Sequence, residues 1–166
     1  RERKILKRFQ VTPVSPAKLL LVEFLIYVIY CIVSMLTLFP AAALLWKIKI
    51  HGSFLLFLGI WFLTMVSTLS IGLLVGGIAK NTKSASVIAC ILYFPMLIFS
   101  GATLPFEVMP VTMQKIISIL PLTQGIQLMK AAFLGLPVEN VLLPVIVMCA
   151  VTLVCFGISV RCFKWE

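Results

Sequence analysis

Four long runs of apolar residues dominate the sequence and predict four transmembrane helices. The only charged side chain inside them is Glu23, close to the start of the first run. A helix needs roughly 20 mostly apolar residues to cross about 30 Å of hydrocarbon, and it satisfies its own backbone hydrogen bonds, as the bilayer requires. The sequence therefore predicts an all-α, polytopic membrane helix bundle, with residues 1–166 forming a single transmembrane domain. The predicted spans are residues 19–46, 52–79, 84–106 and 140–160.

The connection between the third and fourth runs, residues 107–139, is too long for a tight turn and too apolar for a solvated loop. Two short helices, at 111–120 and 122–134, are predicted on either side of Pro121, because proline breaks a helix. Six side chains give these helices some polar surface: Gln114, Lys115, Ser118, Gln124, Gln127 and Lys130. We expect both helices to lie at the outer membrane interface, or to dip partway into the membrane as a re-entrant region.

The composition excludes a water-soluble globule, because 62% of the residues are hydrophobic and 11% are charged. The net charge of +9 does not indicate a nucleic-acid partner here, since the basic residues cluster at the ends of the apolar runs. Ten of the 14 bases lie on one side of the predicted bundle: Arg1, Arg3, Lys4, Lys7, Arg8, Lys18, Lys80, Lys83, Arg161 and Lys164. The positive-inside rule then predicts that both ends of this chain are cytoplasmic. We expect a multi-pass protein of the plasma membrane.

The N-terminal arm, residues 1–18, is predicted to be a short basic amphipathic helix on the cytoplasmic surface. Ile5, Leu6 and Phe9 share one helical face, and the bases surround them. The arm either anchors to anionic lipid headgroups or docks a cytoplasmic partner. Residues 11–16 contain two prolines and predict an extended elbow, because proline pushes the residue before it out of the α region.

A stripe of small residues follows one face of the second predicted span. Thr64, Thr68, Gly72 and Gly76 recur every four residues, and the last two form a GxxxG spacing. Such a stripe allows close helix approach, either within the bundle or at a dimer seam. The alternative is that these residues line a substrate path.

Two acidic residues occupy informative positions. Glu23 lies about one turn into the first span, where it could pair with Lys18 or a neighbouring helix; an acid in a span is otherwise a candidate functional site. Glu107 lies between Pro105 and Pro110 and is placed to cap the following helix, because negative charge is favourable near a helix N-terminus.

Motifs for catalysis are missing from the sequence. It contains no GxxxxGK[ST] phosphate loop, no HExxH, no GxSxG and no GxGxxG. Its five cysteines form no metal-ligand spacing and are expected to be small buried hydrophobes, and its one histidine, His51, is expected to be solvated. We therefore predict that the chain is not an enzyme and holds no cofactor.

Three stretches together resemble the membrane subunit of the type-2 ATP-binding-cassette permeases. The first is the basic arm with its elbow, and the second is the small-residue end of a span at 72–79, followed by Lys80-Asn81-Thr82. The third and most specific is Ser100-Gly101-Ala102-Thr103-Leu104-Pro105-Phe106-Glu107-Val108-Met109-Pro110, followed by Gln114 and Pro121-Leu122-Thr123. This last succession looks like the outer re-entrant region of the family, which includes exporters of drugs, polysaccharides and other amphiphiles.

The resemblance implies that the chain, which starts at Arg1 rather than Met, corresponds to the C-terminal four spans of a six-span subunit. It also implies a cytoplasmic ATPase subunit that holds ATP and Mg²⁺ and contacts the coupling arm and the second cytoplasmic loop. The implied contact residues are Arg1, Glu2, Arg3, Lys4, Lys7, Arg8, Lys80 and Lys83. The implied outer re-entrant motif consists of Gly101, Pro105, Glu107, Pro110, Gln114 and Pro121.

The predicted function is export of an amphiphilic, drug-like, lipid-linked or polysaccharide cargo, as in multidrug efflux. A second permease subunit, identical or different, would complete the path, and membrane lipid would surround it. The alternative is a tetraspan membrane scaffold or anchor that does not transport. A secondary transporter is disfavoured, because such proteins carry ionisable residues near the bilayer middle and this chain has none deeper than Glu23.

Overall fold

The computed structural model describes residues 16–47, 51–79, 81–104, 108–136 and 141–162. These residues form six helices and no strand. Four helices are long and apolar enough to cross a membrane, and the two short helices before the last one form a pair bent by 104°. The predicted all-α bundle is therefore confirmed. The helices are α1 (Pro16–Trp46), α2 (Phe54–Ile78), α3 (Thr82–Phe99), α4 (Val111–Ile117), α5 (Pro121–Leu134) and α6 (Leu142–Cys162).

Side-chain caps and prolines set where the first three helices begin. Pro16 is the first residue of α1, whereas the sequence analysis placed it in the elbow; proline suits this position because the first turn needs no N–H donor. Ser53 caps α2 by accepting a hydrogen bond from Leu56 N. Asn81 caps α3, and its Oδ1 accepts from Ser84 N at 2.7 Å. The predicted coupling arm and the other residues of the elbow lie outside the described residues.

The third span ends at Phe99, seven residues before the predicted limit of 106. Ser100 Oγ donates to Leu97 O at 2.8 Å, and Gly101 has a φ of 87°. A residue in this left-handed region ends a helix, and glycine adopts it without a Cβ penalty. The prediction that the span continues to 106 is wrong because apolarity alone does not reveal this stop.

Helix α2 is the centre of the bundle and packs most extensively against α6 and then α5. Ile60 from α2, Leu128 and Ala132 from α5, and Met148 from α6 form the hydrophobic core. Near the middle of α2, Thr64 lies next to Met148. Farther along the same helix, Ser159 Oγ donates to Leu73 O at 2.9 Å. The contact farther along α2 is also the one farther along α6, so the two helices run parallel.

Helices α1 and α3 lie at the periphery. Only 6% of each span is buried within the chain, compared with 28% of the α2 span. Large apolar side chains on them face outward, among them Leu36 at 68% and Ile91 at 67% exposure. In water such surfaces would be costly, so these faces require lipid or another protein chain against them.

Four helix ends share one side of the bundle. The start of α1, the end of α2 and the start of α3 line one cavity, and the end of α6 lies beside the end of α2 through Ser159 and Gly77. An even number of spans requires this arrangement. It groups Lys18, Lys83 and Arg161 on the side where the sequence analysis placed them.

Candidate functional site

The candidate outer region begins with a tight turn after α3. Ser100 is fully buried, and its Oγ accepts a hydrogen bond from Ala102 N at 3.3 Å. Thr103 Oγ1 reaches back to donate to Leu97 O at 2.9 Å. Two side-chain bonds thus satisfy the end of α3 and turn the chain at Gly101, where the sequence analysis expected the motif to begin.

Pro110 and Gln114 order the start of α4. Pro110 is its N-cap, and its carbonyl oxygen accepts from Met113 N and Gln114 N. The Gln114 side chain turns back, and Nε2 donates to Met109 O at 2.9 Å. These two predicted residues therefore act together on the turn before α4. Pro105 and Glu107, the other predicted residues of this turn, lie outside the described residues.

Pro121 marks the bend between α4 and α5. It is the first residue of α5, so a new helix begins at the predicted break. Pro121 is also buried. Gln124 Nε2 donates to Ser118 O across the bend. This bond connects the end of α4 to the first turn of α5, so the Gln124 side chain stabilises the bend between the two helices.

Helix α5 approaches α2 closely because Gly125 has no side chain. A Cβ built at Gly125 would lie only 2.2 Å from Thr64 Oγ1 and 2.8 Å from Thr64 Cβ. The Thr64 hydroxyl donates to Ile60 O at 2.7 Å and also lies 3.8 Å from Met148 Sδ. The contact therefore joins α2, α5 and α6 at one buried residue.

A second glycine contact locks the other end of α5. The amide N–H groups of His51 and Gly52, before α2, donate to Phe133 O, each at 3.2 Å. A Cβ at Gly52 would lie 1.9 Å from Ala132 O. Gly135 ends α5 with a φ of 72°, so the chain turns away beside this contact.

These two contacts fix the direction and depth of α5. Its last turn lies beside the start of α2, whereas Gly125 lies beside Thr64, ten residues into α2 and thus about 15 Å along it at 1.5 Å per residue. Pro121 is one turn beyond Gly125. Helix α5 therefore runs antiparallel to α2, with its first turn embedded deep in the bundle, and it does not lie flat at the interface.

The predicted small-residue stripe of α2 divides into two parts. Thr64 is buried against α5, and Thr68 is half-buried with its hydroxyl donating to Thr64 O. Gly72 and Gly76 are exposed, and a Cβ built at either would meet nothing within 4 Å. The stripe thus packs at one end and faces open space at the other.

The open end of the stripe borders a cavity of about 680 Å³ between α1, α2 and α3. Glu23 from α1 lines it, so this predicted candidate faces the cavity together with Gly72 and Gly76. The lining residues are Leu20, Glu23, Phe24, Tyr27, Leu69, Gly72, Leu73, Val75, Gly76, Ala79, Asn81, Thr82, Ala85, Ser86 and Ala89.

The sequence pattern did not predict four close contacts that glycines make. Gly125, Gly52 and Gly135 belong to no recognised spacing, and Gly77 rather than Gly76 meets α6, with Ser159 Oγ at 3.1 Å from a built Cβ. The signal that could have found Gly125 is a lone glycine inside a short apolar helix, which often has a packing reason.

The predicted ATPase contacts fall mostly outside the described residues. Arg1, Glu2, Arg3, Lys4, Lys7, Arg8 and Lys80 belong to this group. Lys83 is described, and it lies exposed in the first turn of α3, two residues after the Asn81 cap. Within the described part of the chain, no group of three His, Cys, Asp or Glu side chains could hold a metal ion.

Comparisons with known proteins identify the family. A family model described as "ABC-2 family transporter protein" matches residues 1–161. Nodulation protein J of Rhizobium leguminosarum bv. viciae is 33% identical over 97 residues, which are 58% of this chain and 38% of that protein. The inner membrane transport permease YhhJ of Escherichia coli (strain K12) is 26% identical over 132 residues, which are 79% of this chain and 35% of that protein.

The match to the family model extends over nearly all of the chain. The alignments to these two relatives cover 38% and 35% of the relatives' own lengths. No solved structure matches the chain. With four helices long enough to cross a membrane, it is a multi-pass membrane protein, and the match over residues 1–161 shows that it belongs to the ABC-2 transporter family, as its resemblance to the type-2 ATP-binding-cassette permeases predicted.

Proposed function

We propose that this chain is the membrane-spanning permease part of an ATP-binding-cassette exporter that uses ATP hydrolysed by a separate subunit. One observation carries the proposal. A helix embedded antiparallel to α2 directly precedes the last span, in a chain that matches a transporter family over residues 1–161. A scaffold would need spans that pack, but not a short helix inserted between them.

The ATPase subunit binds on the side that carries most of the basic residues. The positive-inside rule makes this side cytoplasmic, and the start of α1, the loop before α3 and the end of α6 all meet there. The coupling arm enters α1 at Pro16. Lys80 and Lys83 form the second contact, next to the Asn81 cap that fixes the first turn of α3.

The unequal packing of the helices supports a mechanism. Helices α2, α5 and α6 form a packed unit, whereas α1 and α3 bury little surface within the chain. Shifting α1 against this unit therefore disrupts few contacts and costs little free energy. ATP binding closes two ATPase subunits, each pushes on a coupling arm, and the elbow passes the motion to α1, which opens the path outward.

A second permease subunit and lipid cover the remaining apolar surface. The exposed faces of α1 and α3 are too apolar for water, and two permease halves place such faces around a central path. The cargo that suits walls of apolar, Ser and Thr side chains is amphiphilic, drug-like, lipid-linked or polymeric. The name of one relative, the transport permease YhhJ, supports transport itself.

Charge reversal in the coupling arm tests this proposal. In the assembled complex with the full-length chain, changing Arg3, Lys4, Lys7 and Arg8 to Glu should abolish the stimulation of ATPase activity by cargo, because the arm then repels the surface that it contacts. The control reverses Lys47, Lys49 and Lys115, which the charge distribution of the sequence assigns to the other side of the membrane, and should leave stimulation intact. Labelling from each side of the membrane checks that both variants keep their orientation. Unchanged stimulation in the arm variant would remove the arm from the mechanism.

A further inference from the structure

The cavity between α1, α2 and α3 has the size of a small-molecule site. Its volume of about 680 Å³ falls within the range of about 300–1,000 Å³ that is typical of ligand pockets. Small residues from two helices keep it open: Gly72, Gly76 and Ala79 from the end of α2, and Ala85 and Ala89 from α3. The space exists because these positions carry almost no side-chain bulk.

Glu23 is the only charged residue among the described residues that line this cavity. Its carboxylate has no hydrogen-bond or ion-pair partner among the described residues. Of its polar neighbours, Ser86 already donates its hydroxyl to Thr82 O. Glu23 is exposed toward the opening of the cavity, and an acidic residue within a membrane span usually pairs with another group. The charge that Glu23 supplies to the cavity is therefore complementary to a cationic ligand.

We propose that this cavity binds a membrane-soluble amphiphile with a single cationic group, and that Glu23 is its counter-ion. Phe24 and Tyr27, on the same face of α1 as Glu23, also line the cavity and offer aromatic faces that attract cations. The apolar walls from α2 and α3 accept the rest of the molecule. The role of this ligand as cargo rests on the proposed function, whereas its binding to the cavity does not.

Direct binding to the purified full-length protein, without nucleotide or ATPase subunit, tests the proposal. The protein is held in a maltoside detergent, and equilibrium dialysis measures binding of radiolabelled tetraphenylphosphonium. The wild-type chain should bind it saturably at one site, and Glu23→Gln should weaken binding by about tenfold, which corresponds to about 1.4 kcal/mol. Glu23→Asp should restore most of the affinity. Equal affinity in the wild type and in Glu23→Gln would overturn the proposal.

Two further comparisons separate charge from space. Tetraphenylborate has nearly the same size but the opposite charge, so it should not bind at this site; saturable binding as tight as that of tetraphenylphosphonium would overturn the role of Glu23. Gly76→Leu fills the cavity and should abolish binding. Gly59→Leu is the matched control, because a Cβ at Gly59 also meets nothing within 4 Å but Gly59 does not line the cavity. Full binding by Gly76→Leu would place the ligand elsewhere.

A resident lipid with an ammonium headgroup is the competing occupant. Native mass spectrometry of the same preparations identifies it: an ethanolamine lipid retained by the wild type and absent from Gly76→Leu would assign the cavity to structural lipid and overturn a cargo site. Because no step of these experiments uses ATP, their failure leaves the permease proposal standing. If the ATPase coupling experiment fails, the binding measurements still test whether the cavity binds a cationic ligand.

Discussion

Single glycines determine how closely the helices of this chain approach each other. Gly125 places the backbone of α5 against the side chain of Thr64, and a Cβ there would overlap the threonine hydroxyl, methyl and Cβ. Thr64 is 5% exposed and contacts Met148 as well. The Thr64 side chain therefore has no free space into which it could move to make room for a Cβ at position 125.

Gly125→Ala should destabilise the protein by about 1–3 kcal/mol, the usual cost of overpacking a core. Thermal unfolding of the full-length protein in detergent measures the effect. Thr64→Gly in the same chain removes the atoms that clash, so the double variant should lose less than the sum of the two single changes. Gly157→Ala on α6 is the control, because its Cβ meets nothing within 4 Å and alanine favours a helix by up to about 1 kcal/mol. Strict additivity of Gly125→Ala and Thr64→Gly would show that the two residues do not clash.

Gly135→Ala should loosen the contact between the end of α5 and the start of α2. Its φ of 72° disfavours alanine, and the added Cβ would lie 3.2 Å from His51 O. Amide hydrogen exchange at His51 and Gly52, which donate to Phe133 O, should become faster. Gly135→Asn should have a smaller effect, because asparagine enters this region more readily. Exchange as slow in Gly135→Ala as in the wild type would mean that the turn does not depend on glycine.

For the helices, the length of an apolar run predicts well which segments span the membrane, but it predicts poorly which helices pack against each other. The break at Pro121 and the start of α4 at Val111 follow from proline chemistry that is local to the sequence. The end of α3 does not, because it depends on hydrogen bonds made by the Ser100 and Thr103 side chains. The depth of α5 depends on its contact with Thr64, which lies 61 positions earlier in the chain. A single sequence carries no signal for such a pairing.

The small-residue stripe illustrates the same limit. Regular spacing identifies the residues from Thr64 to Gly76 as one face of a helix, and the structure keeps them on α2 as predicted. The spacing does not tell which neighbour each residue meets. Gly77, outside the stripe, makes the tight contact with Ser159, while Gly76 borders the cavity.

The bent pair of helices should control release of cargo at the outer side. Glu107→Gln removes the charge that the sequence predicts near the N-terminus of α4, and Pro110→Ala relaxes the N-cap whose carbonyl oxygen accepts from Met113 N and Gln114 N. We expect each change to reduce export several-fold while the complex still assembles, because neither residue belongs to the hydrophobic core formed by Ile60, Leu128, Ala132 and Met148. Transport into inverted vesicles, with assembly followed by co-purification, provides the measurement. Normal export rates from both variants would show that the bent helix pair takes no part in cargo release.

For the molecule as a whole, the described residues form a packed centre with two loosely attached spans. The rings of Phe39, Phe54, Phe57 and Phe133 join α1, α2 and α5 at one end, with centroid separations of 5.5 to 6.1 Å. At the opposite end the same α1 and α2 separate around the cavity. Helix α1 is therefore attached at one end and open at the other, and the proposed tilting of α1 would need this arrangement.

Co-purification tests whether this chain works with a separate ATPase subunit. The tagged full-length protein is extracted in mild detergent from its own cells, and mass spectrometry identifies and counts the proteins that accompany it. We expect an ATP-binding-cassette ATPase subunit in a fixed ratio to the permease. An intact, folded protein that carries no ATPase subunit would rule out the permease proposal and favour a membrane scaffold.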